Sequence, residues 1–232
     1  MKVIKNIELN LDKSSKIRFL RIEIEDLNKT ILQIIEVLND MSWISKFDDA
    51  YKKSCFLSRA VPTAKLLAFK LRNNNDDKIT EEIGEYVVSE ISRQSIVKEL
   101  SYLSIPLAEL LGRKKTGNPG FDFFTVNDND TLIFGEAKYE SSQNAYGKGF
   151  SQVAEFIELE KDISELNLIE GFCNKSTLNK VINGEKGFAI GFSAKKTPTD
   201  LLIKNIKANR DFLKISKYEE LLIVAVNIWW MN

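Results

Sequence analysis

The chain has 232 residues, with 33 Lys and Arg against 33 Asp and Glu, two Cys and no His. Without His it cannot build His-dependent Ser or Cys triads, His-based zinc sites or HNH-type nuclease centres. Two Cys exclude a four-thiolate zinc site and a disulfide framework, which suits a reducing cytoplasm.

The length suits one α/β domain with an N-terminal elaboration, and is enough to bury a core. No apolar run approaches the roughly 18 residues that span a bilayer, and the start, Met1 to Asn6, has no signal-peptide apolar region. Cys55 and Cys173 read as small core residues. A net charge of zero gives no global basic footprint. Any nucleic-acid contact therefore has to come from local basic clusters or from a partner.

Residues 1–79 read as an elaboration packed on a core of residues 80–232. Val3, Ile4, Ile7, Leu9 and Leu11, then alternating Leu20, Ile22 and Ile24, predict strands. Asp26 is an N-cap candidate for a helix whose stripe is Leu27, Ile31, Ile34, Ile35 and Leu38. Trp43 to Phe56 reads as irregular, and Pro62 as the first turn of a helix Thr63–Leu71. The polar loop Asn73–Lys78 follows. Thr80 should cap a third helix, with Glu81 and Glu82 in its first turn and Ile83, Val87 and Ile91 inward. Gly84 inside that helix costs about 1 kcal/mol relative to Ala, so it calls for a packing or functional reason.

The runs Phe121–Val126 and Thr131–Tyr139 flank the turn-rich Asn127-Asp128-Asn129-Asp130, a β-hairpin signal. Alternation puts Asp122, Phe124 and Val126 on one side of their strand, and Leu132, Phe134, Glu136 and Lys138 on one side of the next. Pairing Phe124 with Phe134 and Val126 with Leu132 leaves a three-residue connection, Asp128 to Asp130, and sets Asp122 opposite Glu136. Cross-strand Cβ atoms lie about 4.5–5.5 Å apart, close enough for two carboxylates to share one small hard cation. With carboxylates and Lys as the only chemistry, Mg²⁺ or Mn²⁺ is the expected ion.

A helix from about Ala145 to Leu166, with Phe150, Val153, Ile157 and Ile163 inward, comes next. Strand Gly187–Ser193, helix Asp200–Ile215 and strand Leu221–Ile228 complete an αββαβαβ order, which predicts a mixed β-sheet flanked by helices. Arg113-Lys114-Lys115 precede Asp122 in a loop positioned to meet a phosphate backbone. Lys195-Lys196 and the helix lysines Lys204, Lys207 and Lys214 are further basic groups, the plain alternative being a solvated face. Trp229-Trp230 suggest one core plug and one interface side chain.

Asp122, Glu136 and Lys138, with Gly120-x-Asp122 before the acid, resemble the PD-(D/E)XK nuclease superfamily. Pro119 stands three residues before the acid rather than beside it. A second acid-x-Lys match, Asp76-Asp77-Lys78, has no apolar strand before it and no hairpin acid opposite, so it reads as chance. The resemblance implies a restriction-endonuclease-like core over about residues 80–230. It also implies Mg²⁺- or Mn²⁺-dependent cleavage leaving 5′-phosphates, with metal ligands Asp122, Glu136, the Ala137 carbonyl and a helix glutamate. Glu85, in Gly84-Glu85, is the first candidate for that glutamate and Glu82 the second, a solvated helix carboxylate being the alternative. Gln152-x-x-x-Phe156 departs from a Gln-x-x-x-Tyr pattern of some relatives, leaving Gln152 as an orienting residue or a plain surface glutamine. The narrower likeness is to the HamA-type nuclease subunit of the Hachiman anti-phage system, which implies a helicase partner and DNA more than RNA. Two rival readings are a non-catalytic nucleic-acid-binding or assembly module on the same fold, and an α/β domain whose hairpin charges form a surface ion pair.

Overall fold

The computed structural model describes residues 1–9, 15–73, 80–112 and 119–228. Seven strands form one mixed sheet: β1 (Lys2–Glu8), β2 (Lys16–Glu23), β3 (Leu103–Ser104), β4 (Phe123–Val126), β5 (Leu132–Lys138), β6 (Gly187–Ala194) and β7 (Glu220–Asn227). Their order is β1-β2-β7-β6-β5-β4-β3. β2, β7, β6 and β5 run parallel, and antiparallel pairs close both edges. The N-terminal hairpin thus continues the same sheet as the strands after residue 80. Burial on both faces explains why β6 and β7 are near-continuous apolar runs while β1, at the edge, is mostly exposed.

Helices cover both faces. On one lie α1 (Leu27–Asn39), α2 (Ala50–Arg72) and α3 (Glu81–Leu100), packed on Leu20, Ile22, Ile133, Ala137, Leu222 and Val224. On the other lie α4 (Tyr146–Glu158), the single-turn α5 (Lys161–Ser164) and α6 (Leu166–Ile169), α7 (Lys175–Ile182), α8 (Thr199–Lys207) and α9 (Arg210–Ile215). These pack on Phe134, Phe188, Ile190, Phe192 and Ile223. Among the described residues no helix is long and apolar enough to cross a membrane.

Asp26 and Thr80 cap α1 and α3 through Lys29 N–H and Ile83 N–H, as the sequence predicts. Three helix boundaries differ. Asp49 caps a single 23-residue α2 that starts well before Thr63 and carries Pro62 inside it. Proline there is exposed and removes only one backbone donor, while Ala60, Ala64 and Ala68 pack the opposite side. The helix from Ala145 ends at Glu158, because Glu160 takes a left-handed φ of 53°. Ile163 is consequently exposed rather than inward. The helix expected over Asp200–Ile215 is split by Asn209, whose side chain accepts from Asp211 N–H and Phe212 N–H and starts a new helix. Between Trp43 and Phe56 a 3₁₀ turn, Ser42–Lys46, seats Trp43 against Phe56 and Phe172. Cys55 and Cys173 are both free and half-buried, so neither is a full core residue.

Candidate metal and acid site at the end of the hairpin

The hairpin has the expected loop. Phe124 pairs with Phe134 and Val126 with Leu132. Asn127 N–H donates to Thr131 O at 3.1 Å, and Asp130 closes the three-residue loop at φ 56°. The predicted register fails one residue before its destination. Asp122 N–H donates to Gly135 O at 2.8 Å, although Phe123 is the residue paired with Gly135, so the chain bends at Asp122. Its Oδ2, rather than a backbone carbonyl, then accepts the Ala137 N–H at 2.8 Å. Asp122 therefore meets the second strand in the plane of the sheet and is not a ladder partner of Glu136. In an extended strand the N–H and C=O of one residue point the same way. The Ala137 carbonyl accordingly faces the side that Asp122 occupies.

Glu136 is 2 % exposed and its Oε1 lies 3.0 Å from Lys138 Nζ. Its Oε2 is buried with no hydrogen-bond partner. Burial raises its carboxyl well above the usual range, and Asp122 raises it further, against the opposing pull of Lys138. Lys138 Nζ also donates to Glu85 Oε1 at 3.0 Å. Burial disfavours the Lys138 ammonium, but Glu136, Glu85 and Asp122 together outweigh it and hold its pKa above the ordinary lysine value. The pairing is buried, which removes the surface-ion-pair alternative.

Glu85 arrives from α3, in the opposite layer, and Gly84 is what lets it. A Cβ on Gly84 would sit 2.2 Å from the Tyr139 ring, so only glycine allows α3 this close to the end of β5. Glu82 is turned elsewhere, accepting from Lys70 at 2.6 Å. Gln152 is half-buried on α4, one turn beyond Gly149, which approaches the Lys138 stem. Arg113, Lys114 and Lys115, Trp229 and Trp230, and Asp76 to Lys78 lie outside the described residues. Lys214 pairs with Asp211 and Glu158 on the surface.

One neighbouring group escapes the sequence reading. Glu140 follows Glu136 and Lys138 at the strand period of two, a legible signal. It hydrogen-bonds Lys148, which holds its carboxyl below the ordinary range. Lys148 also reaches Glu81 at 3.5 Å. With Tyr139 these residues line a polar cavity of about 230 Å³ beside the buried acids. A larger cavity of about 670 Å³, between the start of β1 and the last turns of α3, contains none of them.

The donor set fits a hard cation in one respect and resists it in another. A buried carboxylate oxygen with no donor is costly, and Asp122 is near enough to raise the Glu136 carboxyl further. Yet among the described residues no three acidic or thiol side chains are gathered to hold an ion alone, and Glu85 is paired with Lys138. An ion here would rest on two carboxylates and a backbone oxygen. Comparison with protein-family models, curated proteins and solved structures yields no match.

Proposed function

We propose that this chain is a metal-dependent nuclease of the PD-(D/E)XK type, hydrolysing phosphodiester bonds with Mg²⁺ or Mn²⁺ as cofactor. The observation that carries the reading is the buried, partnerless Glu136 Oε2 beside Asp122 and Lys138. A divalent ion held by Asp122, Glu136 and the Ala137 carbonyl would acidify a bound water and offset charge developing on the phosphate. The chain's own residues supply the rest. Ala137 N–H fixes the Asp122 carboxylate. Lys138 has three N–H donors, two of them directed at Glu136 and Glu85. Its raised pKa keeps it an ammonium, so it stabilises a hydroxide or phosphate oxygen by charge and does not act as the base.

The antiparallel hairpin feeding parallel strands, with helices on both faces, supports a restriction-endonuclease-like core. The narrower assignment, a HamA-type subunit of Hachiman defence acting on DNA with a helicase partner in the cytoplasm, rests on Gly84-Glu85, Gly120-x-Asp122 and Gly135-Glu136-x-Lys138. One observation favours the second reading, a non-catalytic nucleic-acid-binding or assembly module: the Lys138 ammonium already bridges Glu136 and Glu85. A cleavage assay on single- and double-stranded DNA and RNA separates the two. Mg²⁺-dependent products from wild type and none from Glu136→Ala support the nuclease. Equal products from both, or none from wild type with any substrate, contradict it.

A further inference from the structure

The molecule's charges balance overall, but not along α2. That helix carries Lys52, Lys53, Arg59, Lys65, Lys70 and Arg72 and no acidic residue. At about 100° per residue, Tyr51, Pro62, Leu66 and Phe69 fall on one outward line. Tyr51 is 75 % exposed, Leu66 54 % and Phe69 66 %. The same wheel sets Lys52, Arg59 and Lys70 along one border of that line and Lys65 and Arg72 along the other. The two aromatic rings stand 18 residues apart in sequence, about 27 Å along the axis. At its C-terminal end the stripe adjoins the acid site: Lys70 meets Glu82 at 2.6 Å, one turn before Glu85.

Exposed aromatic rings bordered by cations are the two elements that seat an unpaired strand. Bases stack on the rings whatever their sequence, and phosphates take the cations. A second copy of the same face would set cations against cations. We infer that α2 is a docking helix for a single-stranded stretch of nucleic acid. This deepens the proposed nuclease reading by giving its substrate a strand that leads from Tyr51 past Phe69 toward Glu85. The ion pairs of Lys52 with Glu170 and Lys70 with Glu82 are solvent-exposed and worth little, so phosphates displace them at small cost.

The test is fluorescence anisotropy of labelled oligothymidylate and oligouridylate of about 20 nucleotides, with the full chain and a chelator so that no cleavage occurs. Wild type should bind at least one of them, with affinity falling as salt rises, and the preferred oligomer tells DNA from RNA. Phe69→Ala and Tyr51→Ala should each weaken binding about tenfold. Lys65→Glu should weaken it and lower the salt dependence by about one phosphate contact. All three side chains are exposed, so unchanged melting temperatures check the fold. Affinity equal to wild type in Phe69→Ala and Lys65→Glu overturns the inference. So does binding of phosphatidylserine vesicles through these residues with neither oligomer bound. Docking is measured in chelator and cleavage with Mg²⁺, so loss of cleavage and loss of docking are read independently.

Discussion

Helix α3 carries one buried ion pair and lends a carboxylate to another, and they are opposites. At its middle, Arg93 holds Glu90 with two hydrogen bonds of 2.8 and 2.5 Å, and Gln94 adds a third at 2.8 Å. Arg93 spends another donor on Ser104 Oγ and the Ile105 carbonyl. Burial alone would lower the Arg93 pKa, but Glu90 overrides it and raises it. Every charge there is matched. At its first turns, Glu136 and Glu85 share the Lys138 ammonium beside Asp122, and one buried Glu136 oxygen has no hydrogen-bond partner. The first arrangement is closed and holds the α3–β3 junction. The second leaves one buried carboxylate oxygen, Glu136 Oε2, unmatched, and such an oxygen calls for an explanation.

The contrast breaks most visibly under single substitutions. Arg93→Met should strand the buried Glu90 carboxylate and cost about 3–5 kcal/mol in denaturant unfolding. Glu136→Gln should leave metal-free stability equal or higher, since it removes a charge that burial disfavours, while cleavage falls by about 10³-fold or more. Loss of stability in Glu136→Gln comparable to Arg93→Met would mean that both sites are merely structural.

Gly84→Ala comes next. Its methyl would meet the Tyr139 ring at 2.2 Å, so α3 must move outward at a cost of about 1–3 kcal/mol, carrying Glu85 away from Lys138. Reduced cleavage together with the lowered melting temperature is the expected pair. Unchanged values for both would show that the close approach is not needed.

A smaller effect is the pH slope. Because the Glu136 pKa is raised on folding, the native state holds more protons than the unfolded one above the ordinary glutamate range near 4.5. The stability this group contributes is full below that range and is lost as pH rises through its raised value, by at most about 1.4 kcal/mol per pH unit. Melting curves in chelator should show that decline in wild type, and it should flatten in Glu136→Gln. A slope of opposite sign would contradict the burial argument.

Much of the site is legible in the sequence because strand alternation and turn chemistry are local. The three-residue loop closing on Asp130 and the pairs Phe124–Phe134 and Val126–Leu132 follow from them. The bend at Asp122 does not, because a period of two carries no notice of where a ladder stops. The Gly84 anomaly calls for a packing or functional reason, but the reason found, the Tyr139 ring, is 55 positions away in sequence. The closed pair Glu90–Arg93 has the spacing of an ordinary solvated helix pair. Only the burial of α3 between the sheet and α1 and α2 shows it to be internal. Glu160 and Asn209 broke helices whose apolar periodicity ran through them, since one residue's backbone preference outweighs a stripe that neighbours on both sides still satisfy.

The central claim is the proposal that the unmatched buried oxygen of Glu136 belongs to a cation site, and calorimetric titration of the metal-free protein with Mn²⁺ tests it most directly. Wild type should bind Mn²⁺, with proton release as the raised Glu136 carboxyl gives up its proton. Asp122→Asn and Glu136→Gln should each lose that binding, and Arg93→Met should keep it wherever the variant is folded. Binding that survives both acid substitutions, or no binding by wild type, would contradict the account.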